Sequence, residues 1–165
     1  MRPRGWHRSC GAPLLALTMV TIKRVQLWRT EIRNKPGVLA AALEPLAHAG
    51  VDLRVVMKHS VPGRSTRAAV EVLAGSGRRA VRAATAAGFT LSPSPVLLVE
   101  GDNYSGLAYS VTGAIAWAGI AVKFVSMQVV GDRYSAILGF QTDGDARKAS
   151  SLIRKVSTEA SRSDS

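Results

Sequence analysis

Two stretches of this chain repeat one pattern in register. Pro36-Gly37-Val38-Leu39 opens an apolar run that Gly50 closes, and Ser105-Gly106-Leu107-Ala108 opens another that Gly119 closes. Gly37 and Gly50 stand thirteen residues apart, as do Gly106 and Gly119. Each copy reads as a strand-end turn, a helix, a glycine stop and a new strand. A duplication of this period divides the chain into two like units. Within 165 residues, each unit buries only a modest core by itself. The two must therefore pack on each other or on a second chain.

Residues 20–29 carry Val, Ile and Trp in partial alternation and read as one strand. A polar loop follows over 31–35, and Pro36 suits a first helical turn, where its missing N–H costs nothing. Leu39, Leu43, Leu46 and Ala47 fall on one helical stripe, and Pro45 inside it should bend or loosen the helix. A strand over 51–59, a Pro62-Gly63 turn and a return strand over 66–73 come next. A short Ala/Arg helix over 75–87 and a brief strand over 89–94 complete the first unit. The second unit runs as a strand over 96–100, a loop over 101–105 and a helix over 106–118, with Leu107, Val111, Ala114, Ile115 and Ala118 inward. A strand over 120–130, a Gly131-Asp132 turn and a return strand through Tyr134, Ala136, Leu138 and Phe140 follow. Asp143 or Asp145 is expected to cap a last helix ending near Thr158, with Ala149, Leu152, Ile153 and Val156 buried.

The order in each unit is β-α-β-β-α, with a fourth strand clear only in the first. This is the split β-α-β, or ferredoxin-like, arrangement: an α+β fold of two tandem βαββαβ modules, each an antiparallel sheet with two helices on one face. The other face needs a cover, which the sister module or a second subunit would supply. The expected division is a tail over 1–19, disordered or lying ahead of a true start at Met19. A first module then covers 20–94, a second 95–158, and a polar tail 159–165.

Charge is uneven. Of a net +11, all falls up to Pro95, where fifteen basic residues meet four acidic ones; beyond it seven meet seven. Such an imbalance suits anionic partners but equally a solvated surface. No apolar run reaches the ~18 residues of a membrane span. Arg2, Arg4 and Arg8 before a short apolar run imitate a secretory signal, without a small-x-small cleavage site. Cys10 is the only cysteine, which excludes an intrachain disulfide and fits a cytoplasmic protein.

Asn34-Lys35-Pro36-Gly37-Val38-Leu39, with Leu46-Ala47-His48-Ala49-Gly50-Val51-Asp52-Leu53 after it, resembles the ACT-domain family of small regulatory modules. The match is to that family's Asp/Asn-x-Pro-Gly-x-Leu turn and Leu-Ala-x-x-Gly-Ile-Asn-Ile ending. Asn103-Tyr104-Ser105-Gly106-Leu107 and Ala118-Gly119-Ile120-Ala121-Val122 resemble it more loosely. Asp52 stands where the family has Asn, Ala121 at the same place in the second unit, and Ser105 in place of the proline. The architecture is similar to stand-alone tandem ACT proteins. The resemblance implies allosteric regulation through reversible binding of a free amino acid or small carboxylate metabolite, in a homodimer, with a partner enzyme as a further possible contact.

The residues themselves point the same way. A loop entering a helix exposes N–H groups without intrahelical partners, and the helix dipole favours an anion there. The candidate ligand-binding residues are therefore Asn34, Lys35, Pro36, Gly37, Val38 and Leu39 in the first unit and Asp102, Asn103, Tyr104, Ser105, Gly106 and Leu107 in the second. Asn34, Asn103, Asp102 and Asp52 are candidate acceptors for an ammonium group. The same letters also make a good helix-start turn with nothing bound.

Other chemistry finds little support. Gly75-Ser76-Gly77-Arg78-Arg79-Ala80 fits a loose dinucleotide fingerprint, but too little chain follows for the fold that uses it. His7, His48 and His59 are scattered, without metal-ligand spacing. There is no nucleophile elbow or spaced carboxylate pair. No catalytic residue, cofactor or metal is expected, and the chain reads as a non-enzyme. Nucleic-acid binding through Arg78, Arg79 and Arg82 lacks the aromatic platform of RNA-recognition sheets. A protein-docking module with empty loops is the alternative reading.

Overall fold

The computed structural model describes residues 20–163, with side chains through Glu159; the expectations for residues 1–19 lie outside them. The elements are β1 (Thr21–Val25), β2 (Trp28–Arg33), α1 (Val38–His48), β3 (Leu53–Val61), β4 (Arg64–Ala74), α2 (Arg78–Ala86), β5 (Thr90–Leu91), β6 (Val96–Asp102), α3 (Leu107–Trp117), β7 (Val122–Val130), β8 (Arg133–Phe140) and α4 (Asp143–Ser163). They form two four-stranded antiparallel sheets with the ferredoxin-like order in each half.

The single strand expected over residues 20–29 is two strands in different sheets. β2 lies in the first sheet, ordered β3-β4-β2-β5, whereas β1 lies in the second, ordered β1-β6-β8-β7. Thr21 is opposite Glu100 and Val25 opposite Val96. β1 thus takes in the second sheet the place that β5 takes in the first. The fourth strand absent after α4 is supplied from the far end of the chain. The change of sheet turns on Leu27, wholly buried, and on Gln26, whose amide donates to the Ser92 carbonyl at 2.7 Å. Burying a leucine of this kind contributes about 2 kcal/mol. Arg24 pairs with Asp143 at the start of α4 and fastens β1 to the second half.

The helices cover the outer faces. α1 and α2 pack on Ile32, Ala68, Val70 and Val72; α3 and α4 pack on Leu97, Val99, Ala136, Leu138 and Phe140. The inner faces cover each other. Val55, Met57 and Leu73 of the first sheet share a core with Val96, Leu98, Phe124 and Ile137 of the second. The sister half is therefore the cover that each sheet needs, and β4 is buried on both faces from Ala68 to Leu73. Within the first half Glu71, 3% exposed, accepts from Ser92 Oγ at 3.1 Å. Two polar ties cross the layer. Arg54 reaches Glu100 at 3.3 Å, and Lys123 Nζ donates to Ser94 Oγ at 2.7 Å. Arg54 and Lys123 are the residues at which the two hairpins slip register, Leu53/Val55 and Val122/Phe124. A bulge re-aims the side chain it skips, and here both aim across the duplication.

Smaller differences from expectation have local causes. α4 continues to Ser163, and its cap is Thr142, not Asp143 or Asp145. Thr142 Oγ1 accepts the Asp145 N–H at 3.1 Å and donates to the Asp145 carboxylate at 2.8 Å, a reciprocal cap. α1 runs unbroken through Pro45. Both Pro45 and Ala41 are exposed, so the carbonyl that loses its partner is open to water. Ala47, expected inward, is exposed, and Leu46 is the buried anchor of the helix.

Candidate functional site

The two strand-to-helix loops are built alike. Gly37 precedes α1 at φ 78° and Gly106 precedes α3 at φ 83°, both left-handed, and neither helix has a side-chain cap at its start. That conformation costs a residue with a Cβ about 1–2 kcal/mol, which explains glycine at both places. The Val38 N–H donates to the Lys35 carbonyl at 3.4 Å and the Leu107 N–H to the Tyr104 carbonyl at 3.3 Å. Without side-chain caps, the next N–H groups, at Leu39 and Ala40 and at Ala108 and Tyr109, are left for an outside acceptor. No neighbouring atom lies within 4 Å of where a Cβ at either glycine would stand. The backbone at both mouths is approachable.

Around that shared frame the halves differ. In the first, the Asn34 N–H donates to the Thr66 carbonyl at 2.8 Å, pinning the loop to β4. The Asn34 Oδ1 accepts from Lys58 Nζ of β3 at 2.7 Å. An ammonium thus stands beside the loop, held by the residue expected to receive one from a ligand. Lys35, Pro36 and Gly37 are exposed, while Val38 and Leu39 send their side chains against the first core. Asp52 is not at this mouth. It follows the far end of α1, a helix of eleven residues and therefore about 16 Å long, and its carbonyl accepts from the Gly75 N–H at 2.8 Å.

In the second half the Asn103 N–H donates to the Asp132 carbonyl at 2.8 Å, the same pin as at Asn34. Asp102 is taken by Arg133 at 2.7 Å. Ser105 and Gly106 are exposed, and Leu107 is buried. Tyr104, which stands where Lys35 stands in the first loop, packs against the second core with its hydroxyl buried. Beneath it lies Tyr134, 3% exposed. Burial pushes the Tyr134 phenol above its ordinary value, and a hydrogen bond with Ser157 opposes the shift; Tyr104 and Asp102 nearby add to it. Met127 occupies the position of Lys58 and rests against the core. The first mouth is polar and cationic, and the second is lined by aromatic and apolar side chains.

Lys58, Tyr134 and Ser157 come to these sites from other elements, and nothing in their local sequence marks them. Aligning the two copies strand by strand, which sets Lys58 against Met127, is the signal that could have found the first. The Gly75–Ala80 fingerprint leads into α2 of an antiparallel half rather than a parallel sheet. Among the described residues no group of three His, Cys, Asp or Glu side chains could hold a metal, and no helix is long and apolar enough to cross a membrane.

No family model and no curated protein matches the sequence. Solved structures match the fold. Protein BT0572 of Bacteroides thetaiotaomicron aligns over 81% of this chain and 89% of its own, at 13% identity and a TM-score of 0.67. The ligand-free regulatory subunit of aspartate kinase from Thermus thermophilus aligns over 86% and 99%, at 19% identity and a TM-score of 0.59. A putative C-terminal regulatory domain of aspartate kinase from Porphyromonas gingivalis aligns over 84% and 96%, at 9% identity and a TM-score of 0.51. The fold is that of tandem ACT-type regulatory domains.

Proposed function

We propose that this protein is a non-catalytic regulator that binds a free amino acid or similar small carboxylate at the mouth of α1. The observation that carries the reading is the uncapped start of α1 behind a left-handed Gly37, with the Lys58 ammonium held 2.7 Å from Asn34 at its side. Backbone N–H groups and Lys58 receive the carboxylate; Asn34 Oδ1 and the open loop receive the ammonium. The likeness to aspartate kinase regulatory subunits supports a sensing role, with an enzyme as the downstream partner. The second mouth is the weaker site, because Tyr104 lies folded into it. A cytoplasmic location fits such a ligand.

Exposed apolar side chains on α3 and β7 favour pairing of two copies. Trp117 is 91% exposed and Tyr109 80%, two turns apart on one helix, and β7 is an edge strand of the same half. An edge strand with Val125 and Val129 half exposed invites another strand.

Calorimetric titration with each free amino acid tests the proposal. One ligand per chain is expected, with binding weakened at least tenfold by Lys58→Met. Absence of heat and of any thermal shift at millimolar concentration across the set defeats it.

A further inference from the structure

On the inner face of the first sheet, beyond the part that the second half covers, arginines gather around one carboxylate. Glu31 of β2 takes Arg29 at 3.4 Å, Arg67 of β4 at 3.3 Å and Arg64 of the hairpin at 3.9 Å. Arg33, two residues along β2 on the same face, stands directly opposite Arg67 and forms no ion pair among the described residues. Three guanidinium groups thus share the Glu31 carboxylate and a fourth has none. With Glu71 opposite Arg29, four arginines against two carboxylates leave a net charge of two. Ile32 and Ala68, their neighbours in the strands, belong to the helix-side core. The cluster therefore lies on the opposite side of the sheet from the loop at Gly37.

The second half serves as an internal control. Its pair at the place of Arg33 and Arg67 is Asp102 opposite Arg133, closed at 2.7 Å, and Glu100 is balanced by Arg54. The scaffold accommodates a neutral arrangement there and carries it once. Like charges directly opposite on neighbouring strands are destabilising, and Arg64 and Arg67 hold their charge at 65% and 44% side-chain exposure, open to an incoming group. Planar guanidinium forks suit the oxygens of phosphate above those of a lone carboxylate, whose place Glu31 already fills. Trp28, the indole of this sheet's strands, packs on the helix side and is not set for a base on this face.

We infer that Arg29, Arg33, Arg64 and Arg67 form a second anion site, separate from the loop at α1, for a small ligand carrying a phosphoryl group and at least two negative charges. Glu31 preorganises the arginines and competes with the ligand.

The test uses the full chain, with inorganic pyrophosphate as probe against sodium chloride of equal ionic strength, read by thermal shift and calorimetry. Pyrophosphate is expected to bind saturably and raise the melting temperature. Arg33→Asp, which copies the pair already present in the second half, should raise the melting temperature without ligand and weaken pyrophosphate at least tenfold. Glu31→Gln should bind it several-fold more tightly, and ADP should bind no better than pyrophosphate. A pyrophosphate effect no larger than that of chloride overturns the assignment. So does binding that survives both Arg33→Asp and Arg67→Gln, or binding that Lys58→Met abolishes, which would put the anion at the α1 loop.

Discussion

Gly101 lies directly opposite Tyr134 across β6 and β8, and a Cβ on Gly101 would stand 2.9 Å from the Tyr134 ring. At the same place in the first half, Ile32 lies opposite Ala68 across β2 and β4. One cell of the duplicated core is filled from opposite strands in the two halves, large against small in each. That exchange sets the chemistry of the two mouths, because Tyr134 brings a phenol under the second loop where Ala68 brings only a methyl group.

Exchanging the pair should reveal this compensation. Gly101→Ile should destabilise by about 1–3 kcal/mol through overpacking, and Tyr134→Ala by about 3–5 kcal/mol through the cavity it leaves. The double variant, which rebuilds the Ile32–Ala68 pair, should be more stable than the sum of the two losses by about 1–3 kcal/mol. Urea unfolding of all four proteins measures the coupling, and strict additivity contradicts the shared cell.

Tyr134 should make the protein sensitive to alkali. Its folded phenol is raised by burial, so the unfolded chain gives up this proton first, near the ordinary pKa of about 10. The stabilisation is complete below that pH and is lost as pH climbs through the folded value. Melting temperatures taken from pH 8 upward should fall for the parent protein, and Tyr134→Phe should flatten the fall. An identical slope in the variant rejects this cause.

Removing residues 1–26 should damage the half they do not adjoin in sequence. Amides along β6 that face β1 should exchange rapidly with deuterium, while those of β2 and β4 keep most of their protection. Uniform loss of protection, or none, contradicts the pairing of β1 with β6.

Trp117→Ser should leave the melting temperature within about 0.5 kcal/mol equivalent of the parent, because an exposed side chain has little folded-state packing to lose. If two copies pair through α3 and β7, sedimentation velocity should show a shift from dimer to monomer. A dimer indifferent to this change uses another surface.

Much of the fold was legible because its signals are local. The paired glycine spacings marked α1 and α3, Pro62-Gly63 and Gly131-Asp132 marked the hairpins, and the alternation through Tyr134, Ala136, Leu138 and Phe140 identified the helix side of β8. The split at Gln26 and Leu27 was not legible. An unbroken β-favouring run carries no glycine or proline there, and sheet membership is decided by partners far along the chain. The candidate loops were readable for the same local reason as the helices they open. Lys58, Tyr134 and the meeting of Arg33 with Arg67 depended on strand register, which sequence spacing alone does not supply. Asp52, a candidate ammonium acceptor, lies beyond the far end of α1, a whole helix away from the Gly37 loop.

The union of β1 with β6 bears on how the protein is made. A ribosome releases β1 well before β6, and the first half can close while that leading strand still waits beside it. The strand finds its partner only after the start of the second half has emerged. The second sheet is therefore closed by a strand made before the rest of it, and a delay between the two halves leaves an unmatched strand available to the wrong neighbour.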